Sequence, residues 1–249
     1  MIRITRRRLP DAVGGRMAAL SQDILAVEPA RRVARARELW KATTVRNTVR
    51  QPLREVLAEM SPGREHCMYC GDNHGTDIDH FEPVSRSPLR TFDWLNHLLA
   101  CSTCNSHGKR DAFPIDEAGR PLLIDPTTED PFEHLFLSLT VGLYSPLTPK
   151  GGATIEVCGL NRPLLARGRM QALRVVILCL ERWGTAYAAD DRSAMDEAVL
   201  TVREQPFADV CQAMLRQAVA PGADNAFSLP APLLPLLRSP ELRAALLLI

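Results

Sequence analysis

A chain of 249 residues with 46% hydrophobic residues can bury a sizeable core, which excludes a disordered chain. Its formal net charge is only +1, so bulk charge by itself assigns no partner. No apolar run approaches the roughly 20 residues of a membrane span, and the start, MIRITRRRLP, is charged without an apolar stretch, so a membrane partner and a secretory signal are not expected. With seven cysteines and no export signal, a cytoplasmic location is expected.

The charge is unevenly spread. Residues 1–60 hold 13 Lys+Arg against 6 Asp+Glu, a net of +7, and the rest holds 17 against 23, a net of −6. Arg6, Arg7 and Arg8 form one basic cluster, and Arg31, Arg32, Arg35 and Arg37 another. Arginine offers phosphate a planar fork, so these clusters, Arg6, Arg7 and Arg8 foremost, are candidate nucleic-acid contacts; a solvated helix face is the alternative. Residues 15–26 and 30–60 read as mostly helical. Val33, Leu39, Trp40, Val45 and Val49 recur at near-helical spacing, and Leu53, Val56, Leu57 and Met60 make a second stripe. Pro52 is expected to start that second helix.

The stretch from Cys67 to Lys109 organises the chain. Two C-x-x-C pairs, Cys67/Cys70 and Cys101/Cys104, bracket 30 residues. Doubled knuckles turn four thiolates toward one point and suit a closed tetrahedral Zn²⁺ site with a structural role. Gly71 fits a knuckle turn that needs a positive φ. Two disulfides or a redox C-x-x-C are the alternatives. Thr76 to Phe81 alternates polar and apolar residues and reads as a short strand. Leu98 to Ala100 reads as a second, and Cys104 to Lys109 has room for a short helix. His80 stands apart from the other histidines by its neighbours Asp79 and, after the last knuckle, Asn105. Phosphodiester hydrolysis needs an activated water, for which a neutral imidazole is suited near pH 7. It also needs positive charge at the phosphate, which a hard cation held by carboxylate and amide oxygens supplies. Adjacent strand residues face opposite ways, so Asp79 and His80 serve one site only if the strand bends. His66, His97 and His134 are expected to be satisfied polar residues, His74 an exposed turn residue, and Asp77 structural.

Beyond this stretch, a hairpin closed by Ala118-Gly119 is expected between Phe113–Ile115 and Pro121–Ile124. A short helix should start at Asp130-Pro131 and carry Phe132 and Leu135, with an extended piece over Val141 to Leu147. Ala153 to Cys158 reads as a helix stopped at Gly159, and Asn161 as the cap of the next, which carries the stripe Leu173, Val176, Ile177, Leu180 and Trp183. Cys158, Cys179 and Cys211 are expected to be buried packing. Residues 190–249 read as amphipathic helices broken by Pro206, Pro221-Gly222 and the prolines at 230, 232 and 235.

From Cys67 to Asp111 the elements C-x-x-C, D-x-D-H-x-x-P, W-x-N-x-L-x-x-C and C-x-x-C-N resemble an HNH nuclease, the ββα-metal finger. The resemblance implies His80 as general base, Asp79 as a ligand of the catalytic divalent ion (Mg²⁺ or Mn²⁺), Asn96 as the residue that ties down the loop beside His80, and Asn105 as the second ion ligand. The family often reads C-N-x-x-K-G here, whereas this chain reads Asn105-Ser106-His107-Gly108-Lys109, so His107 stays open as the last ligand. Lys109 and Arg110 join the candidate nucleic-acid contacts.

A looser resemblance spans about the first 180 residues. The start MIRITR, the finger, Leu122 to Leu135 and Thr154 to Arg169 are similar to HNH nucleases of the Septu anti-phage type, also found beside some retrons. It implies a defence nuclease working with a partner ATPase of the ABC/SMC-like kind. This chain has no G-x-x-x-x-G-K-[ST] of its own. The expected fold is α+β, mostly α: a zinc-stapled finger (63–126) between a basic helical region (1–62) and a C-terminal helical region (127–249). The expected function is a metal-dependent endonuclease acting on nucleic acid, DNA favoured over RNA. The alternatives are a non-catalytic zinc module that binds nucleic acid or an ATPase, and a toxin acting on structured RNA.

Overall fold

The structure, a computed structural model, describes residues 1–72, 74–226 and 232–247. Pro230, one of the expected breaks, lies outside them. Helix α1 (Asp11–Leu25) leads to α2 (Arg32–Lys41), and the chain turns at Ala42. Helix α3 then runs through an α turn (Thr43–Val45), a π segment (Arg46–Arg50) and an α segment (Gln51–Met60). Pro52 stands in the first turn of this last α segment, as expected, although the helix itself begins upstream. A proline there has no N–H and crowds the carbonyl four residues back, and the wider π turn absorbs the misfit. The Thr48 carbonyl receives a hydrogen bond from Arg16 Nη1 at 3.4 Å. Val13, Met17, Ile24, Ala36, Leu39, Val45 and Val49 form a small core with Phe92, which docks the three helices onto the segment between the finger strands.

Strand β1 (Asp77–His80) pairs antiparallel with β2 (His97–Ala100), in a register that sets His80 opposite His97 and Asp79 opposite Leu98. Next comes a π-helix, Thr103–Lys109. The Ala118-Gly119 turn forms as expected, with Gly119 at φ +76° and a single bridge between Ile115 and Pro121. Leu135 is not helical. After a short 3-10 turn (Pro131–Glu133), strand β3 (Leu135–Ser138) pairs with β4 (Leu143–Pro146). Helix α4 (Pro149–Val157) starts earlier than expected because the Thr148 hydroxyl accepts from the Gly151 N–H. Asn161 caps no helix; its amide bonds both backbone groups of Tyr144, joining β4 to the start of α5 (Pro163–Ala188). Helices α6 (Arg192–Glu204), α7 (Ala208–Gln217) and α8 (Leu233–Arg238) pack on α5, and α9 (Pro240–Leu246) packs on α6, α7 and α8. Among the described residues no helix is long and apolar enough to cross a membrane.

One hydrophobic cluster includes Leu53 and Leu57 of α3, the four knuckle cysteines, Leu98 and Leu99, and the inner faces of α5 to α9. The three sequence regions thus share a core. Cys158 and Cys211 are buried in it, while Cys179 is half-buried. A buried ion cluster ties Met1 to this core. Asp209 Oδ2 accepts from the Met1 amino group at 3.0 Å, from Arg169 Nε at 3.2 Å and from the Tyr144 hydroxyl at 2.5 Å. Arg169 also donates to the Gly142 and Leu160 carbonyls. Removing one partner of such a cluster leaves uncompensated buried charge. Asp209→Ala is therefore expected to lower stability by about 3–5 kcal/mol, measured by urea unfolding. A loss under about 1 kcal/mol, the range of exposed pairs, would remove the cluster from its organising role.

Candidate active site and zinc centre

The four knuckle sulfurs lie within 4.8 Å of one another and all four residues are buried. Cys70 and Cys101 Sγ are 3.9 Å apart. That matches the edge of a tetrahedron with Zn–S bonds of about 2.3 Å and is far from the roughly 2.05 Å of a disulfide. The Cys104 N–H points at Cys101 Sγ (3.4 Å) and Arg162 Nη2 at Cys104 Sγ (3.6 Å), so donors face the sulfurs as thiolates require. Gly71 closes the first knuckle at φ +72°. The donor set and its spacing fit Zn²⁺.

His80 closes β1. Its Nε2 lies 3.1 Å from the Thr91 carbonyl, and His97 Nε2 lies 3.0 Å from the same oxygen. A carbonyl only accepts, so each ring donates from Nε2, which leaves Nδ1 of His80 as the basic atom. Trp40 holds the ring edge-on at 4.5 Å. Burial lowers the His80 pKa to about 4, so the ring is neutral at pH 7. His80, Asp79 and Asn105 line one cavity of about 280 Å³, with Trp40, Arg37, Lys41 and Arg110 in its wall.

Asp79, next to His80 on β1, turns its carboxylate to Tyr69 and Lys109. It is 3% exposed, and its oxygens take the Tyr69 hydroxyl (2.5 Å) and Lys109 Nζ (3.1 Å). Lys109 also donates to the His80 carbonyl at 2.7 Å and has no exposed surface. The expectation that Lys109 meets nucleic acid is therefore corrected: its ammonium is the buried counter-ion of Asp79. Burial raises the Asp79 pKa, and Lys109 pulls it back down. The sequence has one residue more between Asn105 and the lysine than C-N-x-x-K, and the π-helix over 103–109 takes up that residue and returns Lys109 to the interior.

Asn105 Nδ2 donates to Asp77 Oδ2 at 3.2 Å, so its amide oxygen is the atom left for a cation. Ser106 Oγ lies at the same distance from that Asp77 oxygen. His107 is exposed, its Nδ1 is turned to the Ser102 carbonyl, and it does not line the cavity. Asn96 is fully buried. It accepts from the Glu82 N–H (2.8 Å) and donates to the Glu82 and Arg90 carbonyls (3.0 and 3.1 Å), stitching the 81–90 loop beneath His80. Asn96→Ala strands three part-buried backbone groups, each costing up to about 1–3 kcal/mol. It should lower the melting temperature while zinc content stays at parent level; an unchanged melting temperature would refute the stitch.

Arg6 is also corrected as a phosphate contact. Its guanidinium donates to the Trp94, Leu95 and His97 carbonyls at 2.8–3.0 Å and lies over the Trp94 ring. Arg7 and Arg8 are exposed but pair with Glu59 and Asp11, and neither lines the cavity. Arg110 does line it. His134 is satisfied by Thr148 and Glu129, and His74 is exposed. Among the described residues, both ring nitrogens of His66, and Nδ1 of His97, are buried without a partner, contrary to expectation. Sequence reasoning missed Trp40, Lys41 and Arg37 as cavity wall. Their near-helical spacing was visible, but only the α2–α3 turn brings them to β1.

Knuckles, two short strands and a helix around a histidine cavity define an HNH-type nuclease finger, and residues 67–111 match the family model described as HNH endonuclease. Beyond the finger, the chain resembles the Septu protein PtuB of Bacillus mycoides (strain KBAB4), to which it is 25% identical over 158 residues. That alignment covers 51% of this chain and 53% of PtuB, so the chain spans about half the length of this curated relative. No solved structure matches the chain.

Proposed function

We propose that the chain is a metal-dependent endonuclease that hydrolyses phosphodiester bonds, with DNA favoured over RNA as substrate, and serves as the effector of a cytoplasmic anti-phage system. One observation carries this reading: His80 is neutral, is fixed by its Nε2 on the Thr91 carbonyl, and shares a cavity with Asp79 and Asn105. His80 Nδ1 takes the proton of a water whose oxygen bonds to phosphorus, and the P–O3′ bond breaks with its electron pair on O3′. Asp79 and the Asn105 amide oxygen would hold Mg²⁺ or Mn²⁺, which supplies positive charge at the phosphate and the leaving oxygen when bound. A partner ATPase of the ABC/SMC-like kind would supply control, in keeping with the likeness to a Septu protein.

A second reading, a zinc module that binds without cutting, draws on the Asp79–Lys109 pair, which already occupies the carboxylate. Plasmid nicking decides between them. Cleavage with Mg²⁺ or Mn²⁺ that EDTA stops supports the nuclease. Full zinc occupancy and nucleic-acid binding without cleavage under either metal would favour the module.

A further inference from the structure

The basic side chains of the N-terminal region differ in whether a carboxylate neutralises them. Arg7, Arg8, Arg35 and Arg54 are neutralised by Glu59, Asp11, Glu38 and Glu65 at 2.7–3.1 Å. Arg37, Lys41, Arg46 and Arg50, together with Arg110 from the finger, have no carboxylate partner among the described residues. Arg3, Arg6, Arg16, Arg31 and Arg32 have none either and line neither of the two hollows below, whereas these five are gathered in one place. Arg37, Lys41 and Arg110 line the His80 cavity, and Arg46 and Arg50 line a groove of about 420 Å³ beside it. The two hollows share Trp40, Ile78 and Asn105 in their walls, so they form one trough that passes the catalytic histidine.

We propose that this trough seats the phosphodiester backbone of a nucleic acid, with Arg37, Lys41 and Arg110 holding phosphates at the cleavage position and Arg46 and Arg50 holding phosphates further along. The inference rests on the nuclease reading and gives it a substrate path that lies mostly outside residues 67–111. Unpaired cations repel one another, and the five along this trough outnumber the carboxylates in its walls, Asp77, Asp79 and Asp111, of which Asp79 is already paired with Lys109, so a polyanion stabilises them. Arg110 adds a second observation. It is a non-glycine residue at φ +47°, held by its N–H on the Asn105 carbonyl (2.8 Å) and its Nε on the Ser106 carbonyl (3.1 Å). Backbone in that region is strained and tends to be kept where it positions a functional group.

The trough reads backbone rather than bases. A base would need an open aromatic face to stack on. Trp40 has none, because His97 stacks on its ring at 5.5 Å and 7°, and the Arg50 guanidinium lies over the ring at 5.0 Å. Phosphate contacts position a nucleic acid without reading its sequence, so binding is expected to be sequence-independent and strongly salt-dependent.

The test measures binding by fluorescence anisotropy without added Mg²⁺ or Mn²⁺, in a His80→Ala background whose cleavage is suppressed. The probes are a 30-mer DNA duplex and an RNA of the same sequence, each titrated across a salt series. Arg37→Gln/Lys41→Gln/Arg46→Gln changes three exposed side chains, so zinc content and circular dichroism should match the parent. The triple variant should bind the preferred probe at least about tenfold more weakly at low salt, with a log–log salt slope shallower by roughly 0.9 per contact removed on duplex DNA. Arg7→Gln/Arg8→Gln, which removes two paired arginines, should leave affinity and slope at parent level. Unchanged affinity in the triple variant, or a loss confined to the Arg7/Arg8 variant, overturns the trough while plasmid nicking by the wild type keeps the nuclease reading. Absence of binding in the parent and of nicking in the wild type overturns both.

Discussion

His80→Ala should reduce plasmid cleavage by about 10²–10⁴-fold, the contribution typical of a positioned general base, and leave a folded, zinc-loaded protein. The size of the effect follows from geometry. Both ring nitrogens have defined roles: Nε2 is fixed on the Thr91 carbonyl and Nδ1 is the basic atom. No neighbouring side chain can substitute. His97 shares the same carbonyl, but it is fully buried and its Nδ1 reaches no partner. The ring is half-buried against Trp40, at the margin of both hydrophobic clusters, so its loss should not dismantle either. Added imidazole should recover part of the rate, since it can enter the space that the side chain leaves. Cleavage within threefold of wild type would remove His80 from the base role, and loss of zinc together with activity would make the effect structural.

How much of this was legible in the sequence depended on how local the cause was. The zinc staple was legible because two C-x-x-C pairs carry their own geometry: each knuckle is one turn, and only their meeting is long-range. β1 and β2 were legible from short alternating or apolar runs ending at a turn or a knuckle. Lys109 was not. Its burial depends on a π-helix that takes up one extra residue, and a helical count of 3.6 puts the side chain elsewhere. Arg6 failed for a different reason. Its partners are the carbonyls of 94, 95 and 97, about 90 residues away, and no window on Arg6-Arg7-Arg8 contains them. Charge density located a basic region correctly but could not tell paired arginines from free ones, which only the placement of Glu59, Asp11, Glu38 and Glu65 decides. β3 was missed because four residues, LFLS, beside an Asp-Pro turn suit a helix start as well as a strand.

Cys101→Ser is expected to have the largest effect on the fold. Structural Zn²⁺ in small fingers contributes about 10–16 kcal/mol of folding free energy, comparable to the 5–15 kcal/mol net stability of a whole domain. Here the centre is not peripheral. Cys67 and Cys70 precede β1, Cys101 directly follows β2, and Cys104 lies in the π-helix that carries Asn105 and Lys109. The sulfurs belong to the same hydrophobic cluster as Leu99, Leu123, Cys158 and Leu160, so loosening the staple exposes the seam between the finger and the C-terminal helices. A serine hydroxyl is a poor zinc ligand, and three remaining thiolates without an ion repel in a site that buries them. The variant should therefore carry less than one zinc per chain by elemental analysis, lose helical circular dichroism and elute as aggregate. The same outcome should follow from stripping zinc from the wild type with a chelator that binds it tightly. Cys179→Ser supplies the contrast, since that half-buried cysteine lies on α5 outside the sulfur cluster and should keep zinc and fold. A Cys101→Ser protein that stays monomeric, helical and nuclease-active without zinc would show that packing alone holds His80 and Asn105 together.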